Sequence, residues 1–181
     1  MECIDTNISG CYLLRPAFYP DHRGWFYESY NKRDLNSILG QEVDFVQDNT
    51  SLSDQYVLRG LHFQRQPRAQ AKLVSVLKGR VLDVVVDLRK DSPTYEEVFK
   101  VELSGPAHQM LYIPRGLAHG FLCLEPHTLF HYKCDSYYQP GYEGGIRFND
   151  PDLGIDWGVP SDKIILSEKD RQLPYLKELS L

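Results

Sequence analysis

Short apolar or alternating segments, separated by turn residues, run through the middle of the chain. Alternation with a period of two predicts half-buried strands, and apolar segments of about four to eight residues between breakers predict buried ones. Such strands are predicted at Val57–Gln64, Lys72–Leu77, Arg80–Leu88, Phe99–Leu103, Gln109–Ile113, His119–Leu124 and Thr128–Cys134. Many short strands with short connections indicate an antiparallel β-sandwich or barrel.

The residues between these segments predict how the strands connect. Lys78 and Gly79 alone separate the second and third strands, a spacing typical of a tight β-hairpin in which glycine supplies a positive φ. These two strands are therefore predicted to be antiparallel neighbours. Helices are predicted only at Lys32–Leu39 and Ser167–Leu173.

Size and charge narrow the class of protein. With 181 residues, of which 42% are hydrophobic and 25% charged, the chain is predicted to form one domain over residues 1–181. A net charge of -5 provides no basic surface for nucleic acid, although arginine and lysine can still line one anion-binding cleft. No apolar segment approaches the roughly 20 residues that span a bilayer, and the N-terminus lacks a signal-peptide pattern. A cytoplasmic protein without membrane or nucleic-acid partners is expected.

The segment Arg59–Gln64, RGLHFQ, places arginine, histidine and glutamine on one predicted strand. A buried imidazole titrates near neutral pH and suits a general base, but a hydrogen-bonded core histidine is also consistent with the motif. Strict alternation sends Arg59 and His62 to opposite faces, unless Gly60 forms a β-bulge that redirects one of them. His62 is thus a candidate base.

Charged residues interrupt two apolar strands. Lys72 opens a strand of apolar or small residues, where a buried ammonium needs an anionic or polarised oxygen, whereas at the solvent end of the strand it needs none. Asp83 interrupts the next strand in the same way and is a candidate to orient a neighbouring group. The sequence Ser167–Asp170 fits a helix capping box as well as a site contribution.

The segment Pro114–Phe121 resembles the PxGxxH motif of cupins, in which a turn delivers a histidine, here His119, to the interior of a barrel. Metal-binding cupins add an HxH pair and a glutamate, and only His62 is present in the corresponding segment. No metal site is therefore expected. The four cysteines form no CxxC pair, so reduced thiols are expected.

Several ordered motifs together resemble the dTDP-4-dehydrorhamnose 3,5-epimerase family along nearly the whole chain. They lie at Asp21–Gly24, Gln47–Asn49, Arg59–His62, Glu143–Ile146 and Leu166–Asp170. The resemblance implies a mainly β, cupin-type antiparallel sandwich or barrel (a jelly roll) with short flanking helices. It further implies a homodimer that acts on a small-molecule nucleotide sugar.

The same resemblance assigns the reacting groups. His62 is the general base, and Asp170 binds its other ring nitrogen. Tyr132 is the acid on the opposite face, and Lys72 stabilises the enolate oxygen at carbon 4. Carbons 3 and 5 both flank the ketone, so no cofactor is needed. The substrate-binding positions are Arg23, Glu28, Gln47, Asp48, Asn49, Arg59, His119, Tyr138, Glu143 and Lys169, with Tyr138 stacked on the base and Arg23, Arg59, His119 and Lys169 near the pyrophosphate.

Other functions stay open on the sequence. The same template includes enzymes that invert carbon 3 or carbon 5 alone, and related cupins move the keto group between carbons 3 and 4. The presence of both Tyr132 and Asp170 favours epimerisation over the keto shift. A metal-dependent cupin oxygenase and a non-catalytic sugar-binding cupin are the alternatives from other classes. Phe63, where the family often has tyrosine, leaves the tuning of specificity open.

Overall fold

The structure, a computed structural model, is mainly β and describes residues 1–179. Residues 180 and 181 of the predicted domain lie outside the described residues. The helices are α1 (Lys32–Leu39) and α2 (Glu168–Arg171), and neither is long or apolar enough to cross a membrane within residues 1–179. The strands are β1 (Glu2–Asp5), β2 (Tyr12–Arg15), β3 (Phe18–Asp21), β4 (Gly24–Tyr27), β5 (Gln47–Ser53), β6 (Leu58–Gln64), β7 (Lys72–Lys78), β8 (Arg80–Asp87), β9 (Val98–Ser104), β10 (Met110–Ile113), β11 (Leu117–Cys123), β12 (Thr128–Cys134) and β13 (Glu143–Gly145).

The strands form two facing sheets and one separate hairpin. The six-stranded sheet has the order β1-β2-β10-β7-β12-β5, and the five-stranded sheet has the order β13-β6-β11-β8-β9. The hairpin is formed by β3 and β4. Each pair of neighbouring strands is antiparallel, so the predicted cupin-type antiparallel sandwich is confirmed.

Apolar side chains fill three layers around the sheets. Between the sheets, Phe130 of β12 stacks on Phe121 of β11 with ring centroids 3.8 Å apart. The C-terminal segment covers the outer face of the five-stranded sheet, where Trp157 is buried. Helix α1 covers part of the outer face of the six-stranded sheet through Leu35. The outer face of the five-stranded sheet is therefore covered, whereas that of the six-stranded sheet is covered only in part.

Every strand predicted from the hydrophobic pattern is present, with its ends within two residues of the predicted ones. Helix α1 also begins and ends as predicted: the Asn31 side chain accepts a hydrogen bond from the Asp34 backbone, and Gly40 ends the helix with a φ of 64°. Helix α2 is shorter than predicted. Of the predicted residues, only Glu168–Arg171 are helical, which is a single turn, and the chain then continues without helix to Pro174.

The predicted hairpin between β7 and β8 is wrong. Gly79 has the expected positive φ, 83°, but β7 pairs with β10 and β12, whereas β8 pairs with β9 and β11. The short turn instead carries the chain from one sheet to the other. Val76 before the turn and Val81 after it both pack between the sheets. Two apolar strands can bury the same faces by lying opposite each other, and the hydrophobic pattern does not distinguish this from lateral pairing.

Strand β6 has a β-bulge at Gly60, the position at which the sequence required one. His62 lies opposite His119 and Arg59 lies opposite Phe121, so β6 has one more residue than β11 between these pairs. Gly60 has a φ of 131°, and a Cβ added there would lie 2.5 Å from the Cα of Gly120. The bulge lets Arg59 and His62 line one cavity although they are an odd number of residues apart.

Candidate active site

Two adjoining cavities share His62 at one end of the barrel. The first has a volume of about 280 Å³ and lies between the sheets, and the second has a volume of about 360 Å³ and lies beside α2. Strand alternation turns Gln47 and Asn49 of β5 inward, and Tyr132 lies opposite Asn49 on β12. Of the predicted site residues, the first cavity is lined by Gln47, Asn49, His62, Lys72, Tyr132, Tyr138 and Glu143, and the second by Arg59, His62, Lys169 and Asp170.

His62 and Asp170 form a hydrogen-bonded dyad across 108 residues of sequence, with Nε2 of His62 2.7 Å from Oδ1 of Asp170. Burial alone raises the pKa of Asp170, but the hydrogen bonds from His62 and from the Gly60 backbone outweigh it and hold the pKa below its ordinary value. The carboxylate therefore accepts a hydrogen bond from Nε2–H, and in that tautomer of the neutral ring Nδ1 carries the lone pair. Ser167 also caps α2 by accepting a hydrogen bond from the Asp170 backbone N–H, which confirms the helix-start interpretation of this segment.

Lys72 and Tyr132 lie on the neighbouring strands β7 and β12 and line the same wall of the first cavity, with Nζ of Lys72 5.9 Å from the centroid of the Tyr132 ring. Burial lowers the pKa of Lys72 and raises that of Tyr132. Among residues 1–179, no side chain forms a hydrogen bond or ion pair with the Lys72 ammonium. A ligand oxygen that enters this cavity would therefore lie near the Lys72 ammonium, which has no side-chain partner among the described residues, and near the Tyr132 phenol, which is protonated at neutral pH.

His119 lies behind this cavity, 6% exposed, with Nε2 3.0 Å from Asp83. Burial lowers the pKa of His119, although the Asp83 carboxylate acts in the opposite direction. The resemblance places His119 near the pyrophosphate, but the structure orients it towards Asp83, and it lines neither cavity. Asp83 thus orients a neighbouring histidine, which was one of the possibilities open on the sequence.

Glu143 joins the two cavities by binding one residue from each side. It accepts a hydrogen bond from the Tyr138 hydroxyl at 2.8 Å and forms an ion pair with the Lys169 ammonium at 2.6 Å. Burial raises the pKa of Glu143, but the hydrogen bonds from Lys169 and Tyr138 outweigh this effect and lower it. Lys169 directly precedes Asp170, so one helix turn carries both the partner of His62 and the cation that binds Glu143.

Three predicted substrate-binding residues lie away from both cavities. Asp48 points outward by strand alternation and pairs with Lys133 at 2.8 Å. Arg23, in the β3–β4 turn, is exposed and pairs with Asp21. Glu28 follows β4 and is also exposed.

The β3–β4 hairpin packs at the far end of the barrel. Trp25 contacts His108, with ring centroids 4.6 Å apart, and lies beside Lys78 at the end of β7. Lys72 begins that strand at the cavity, and the length of a seven-residue strand puts roughly 20 Å between the two ends. Arg23 is therefore remote from His62 of the same chain.

Three polar residues to which the sequence assigned no role also belong to this region. Gln64 and Gln70 line the first cavity, and Ser53 accepts a hydrogen bond from Arg59 at 3.1 Å. Alternation on β5 gives the signal for Ser53, since it shares the inward face of Gln47 and Asn49. In the described part of the chain, no three His, Cys, Asp or Glu side chains are grouped to hold a metal ion.

The model of the dTDP-4-dehydrorhamnose 3,5-epimerase family matches residues 5–178. The chain belongs to this family. A dTDP-4-dehydrorhamnose 3,5-epimerase of Methanothermobacter thermautotrophicus is 47% identical over 176 residues, covering 97% of this chain and 94% of the relative. The family resemblance seen in the motifs is therefore confirmed.

Solved structures of epimerases share the fold over nearly the full length. The dTDP-4-dehydrorhamnose 3,5-epimerase of Elizabethkingia anophelis superposes with a TM-score of 0.96 at 46% identity, covering 100% of this chain and 99% of its own. A dTDP-6-deoxy-D-glucose-3,5-epimerase of Legionella pneumophila, in complex with dTDP-4-keto-L-rhamnose, superposes with a TM-score of 0.94 at 44% identity, covering 98% and 94%. The chain is thus related to isomerases in both sequence and structure.

Proposed function

We propose that this chain is a 3,5-epimerase that converts dTDP-4-dehydro-6-deoxyglucose into dTDP-4-dehydro-L-rhamnose without a cofactor. The observation that carries the proposal is the convergence of the His62–Asp170 dyad, Tyr132 and Lys72 on one cavity. Inversion beside a ketone requires a base, an acid and a group that stabilises an enolate. The ligand in the Legionella pneumophila relative supports the choice of substrate.

His62 removes the proton in the proposed reaction. Its Nδ1 takes a proton from carbon 3 or carbon 5, the C–H electron pair forms a C=C bond to carbon 4, and the carbonyl pair moves to the oxygen. Asp170 stabilises the imidazolium that results, because its carboxylate already holds the opposite ring nitrogen. Lys72 binds the enolate oxygen, which is the atom on which negative charge develops.

Tyr132 returns a proton to the opposite face. The enolate electrons take the phenolic proton, the C=O bond re-forms and the configuration of that carbon is inverted. The raised pKa of Tyr132 keeps the phenol protonated at neutral pH, as a general acid requires. Exchange with water afterwards removes the proton from His62 and restores one to Tyr132, so no atom is gained or lost overall.

The nucleotide end of the substrate is assigned to the second cavity and to the rim of the first. Arg59 and Lys169 supply positive charge for the pyrophosphate, for which arginine has suitable bidentate geometry. Tyr138 is exposed at the rim and presents a ring on which the thymine stacks. Gln47, Asn49 and Glu143 then lie between the base and the reacting sugar.

The proposed active form is a homodimer whose sites use both chains. Arg23 and Glu28, assigned to the substrate by resemblance, line neither cavity of their own chain. The hairpin that carries Arg23 exposes Trp25 and Phe26, and the outer face of the six-stranded sheet exposes Leu52 and Leu77. A second copy covering these apolar surfaces would bring the hairpin to the partner's cavity.

The proposed compartment is the cytoplasm. Cys3, Cys11, Cys123 and Cys134 are free thiols in the structure. Reduced thiols are typical of that compartment, whereas secreted proteins of this size more often carry disulfides. With a net charge of -5, no nucleic-acid partner is proposed.

Proton NMR in deuterated water tests the reaction directly. The enzyme is incubated with dTDP-4-dehydro-6-deoxyglucose, and the signals at carbons 3 and 5 are followed separately. Loss of both signals with inversion supports the 3,5-epimerase, and loss of one indicates a mono-epimerase. A new keto position indicates a ketoisomerase, and loss of neither signal leaves the non-catalytic sugar-binding protein as the alternative.

A further inference from the structure

The segment that carries Tyr138 runs across the first cavity without pairing to a strand. This strap, residues 135–139, joins β12 to the short helical turn Pro140–Tyr142. Its backbone bonds to other backbone groups are at its ends, from Asp135 to Ala71 at 3.2 Å and from Tyr142 to Gln139 at 3.0 Å. The peptide groups between those ends have side-chain partners instead.

Three glutamine side chains provide these partners, and all three line the first cavity. Gln70, before β7, and Gln47, on β5, each bind one peptide group of the strap, and Gln64, at the end of β6, binds two. The bonds are Gln70 Nε2 to the Ser136 carbonyl at 2.7 Å, Gln64 Nε2 to the Tyr137 carbonyl at 3.3 Å, the Tyr138 backbone N–H to Gln47 Oε1 at 2.9 Å and the Gln139 backbone N–H to Gln64 Oε1 at 2.6 Å.

A glutamine amide suits this task because it offers a donor and an acceptor, as a peptide group does. The three side chains, here named the glutamine clamp, therefore take the place of the neighbouring strand that the strap lacks. Gln64 is the central member: it is 5% exposed, and its Nε2 also donates to the Arg68 carbonyl at 2.7 Å. The hydroxyl at the outer end of the Tyr138 ring donates a hydrogen bond to Glu143, which fixes that end of the side chain.

We infer that the glutamine clamp holds Tyr138 at the cavity mouth before any nucleotide arrives, and that Gln64 is a positioning residue for binding of the nucleotide base. The inference rests on the proposed function, because it takes the base of a dTDP-sugar as the group that meets Tyr138. Gln64 acts through the strap and not on the reacting carbons. Its loss therefore weakens nucleotide binding more than it slows proton transfer.

The variant Gln64→Met tests this, with Gln55→Met as the matched control. Gln55 also donates from Nε2 to a backbone carbonyl, that of Leu124 at 2.9 Å, but it lines neither cavity. We expect Gln64→Met to speed amide hydrogen exchange in residues 135–142 and to raise the Kd for dTDP roughly tenfold, as loss of one to two net hydrogen bonds does. KM for the sugar nucleotide should rise in parallel while kcat stays within about threefold of wild type. Gln55→Met should change none of these.

A double-mutant cycle with Tyr138→Ala distinguishes positioning from general destabilisation. If Gln64 acts through Tyr138, Gln64→Met adds little to the loss of dTDP affinity once the ring is absent. Fully additive losses overturn the inference, as does a Gln64→Met protein with the strap exchange and the dTDP affinity of the control. Should Gln64→Met not fold, Gln70→Met removes a single bond of the clamp and should give the same changes at smaller size.

The outcomes also separate this inference from the proposed reaction. A wild-type protein that binds dTDP and loses affinity through Gln64→Met, but exchanges no protons at carbons 3 and 5, keeps the clamp and overturns the epimerase. A wild-type protein that epimerises the sugar but is unaffected by Gln64→Met keeps the enzyme and overturns the clamp. A wild-type protein that does not bind dTDP overturns both.

Discussion

In the proposed reaction, His62 and Asp170 act together as one general base. The imidazole offers the reactive nitrogen, and the carboxylate fixes the tautomer from a buried position. We expect His62→Ala to lower the rate by about 10² to 10⁴ or more while the protein stays folded. Asp170→Asn should lower it less, because the ring remains and only its orientation and charge stabilisation change. Product formation is measured beside circular dichroism, and a larger loss for Asp170→Asn would contradict this order.

Tyr132 is expected to separate proton removal from proton return. In Tyr132→Phe, His62 still has its dyad partner and still faces the cavity, so the substrate should continue to exchange protons with solvent. Without the phenol, the proposed acid on the opposite face is missing, and the inverted product should be suppressed. Deuterium incorporation and product stereochemistry are followed together by NMR. Product formed at the wild-type rate would remove Tyr132 from the acid role.

We expect the buried Lys72 ammonium, which the proposed reaction needs, to lower the stability of the folded protein at neutral pH. Burial lowers its pKa, so the folded state holds the proton less tightly than the unfolded chain, and the charged form is penalised at neutral pH. The penalty fades as the pH rises from the lowered pKa of folded Lys72 towards the ordinary lysine pKa of about 10.4, above which both states are neutral. Lys72→Met is therefore expected to raise Tm at neutral pH, by an amount that shrinks towards that pH, and to abolish epimerisation.

The control for this substitution is Lys78→Met, at the exposed end of the same strand. Thermal denaturation of both variants is recorded from neutral pH to about pH 10. Lys78→Met should leave Tm close to that of wild type throughout. A Lys72→Met protein with a lower Tm than wild type at neutral pH would show that the ammonium stabilises the free enzyme.

At the scale of single residues, the sequence located the proposed reacting groups but not the residues that support them. His62, Lys72 and Asp170 were found because ionisable side chains stand out among apolar neighbours or in family motifs. Gln64 and Gln70 were not, since a neutral amide gives no such contrast and its partners, the strap peptides, lie about 70 residues away. The positions of Arg23 and Glu28 relative to the cavity depend on packing that no local pattern records.

Among the elements, β6 depends on a glycine for its function. Gly60 forms the bulge that aims His62, and an added Cβ would lie 2.8 Å from the His119 carbonyl oxygen as well as against Gly120. Gly60→Ala is expected to destabilise the fold by about 2 kcal/mol or more, because both the clash and the positive φ oppose a side chain. Urea denaturation measures the loss. Gly141→Ala, where a Cβ meets nothing within 4 Å, should stay close to wild type.

The hydrophobic pattern recovered the strands whose inward residues are apolar and missed those whose inward residues are not. Strand β5 presents Gln47, Asn49 and Ser53 to the interior because this face lines the cavity and binds Arg59, so it carries no apolar alternation. Strands β1 to β4 are each four residues long, too short for a period of two to be distinct, and none is a continuous buried apolar run like the equally short β10, which was predicted. Function and brevity thus hid these elements, while the central barrel strands were predictable.

For the whole molecule, the proposed dimer makes each site depend on two chains. Arg23→Ala and His62→Ala should each abolish or strongly reduce activity as homodimers. If the hairpin serves the partner's cavity, mixing the two after subunit exchange should restore about a quarter of wild-type activity, because one site in each mixed dimer is intact. The assay is repeated with Arg33→Ala replacing Arg23→Ala, an exposed arginine outside both cavities. Mixtures that remain inactive would place Arg23 in its own chain's function or in none.

The turn at Lys78 and Gly79 has a consequence for the integrity of the chain. It divides the described residues into 1–79 and 80–179, and neither part holds all the strands of the six-stranded or the five-stranded sheet. In the six-stranded sheet, β10 and β12 from the second part lie between β2, β7 and β5 from the first. A cut at this turn would therefore leave two fragments with several unpaired strand edges, and such edges promote aggregation. Neither half of the polypeptide is therefore expected to form a soluble folded structure without the other.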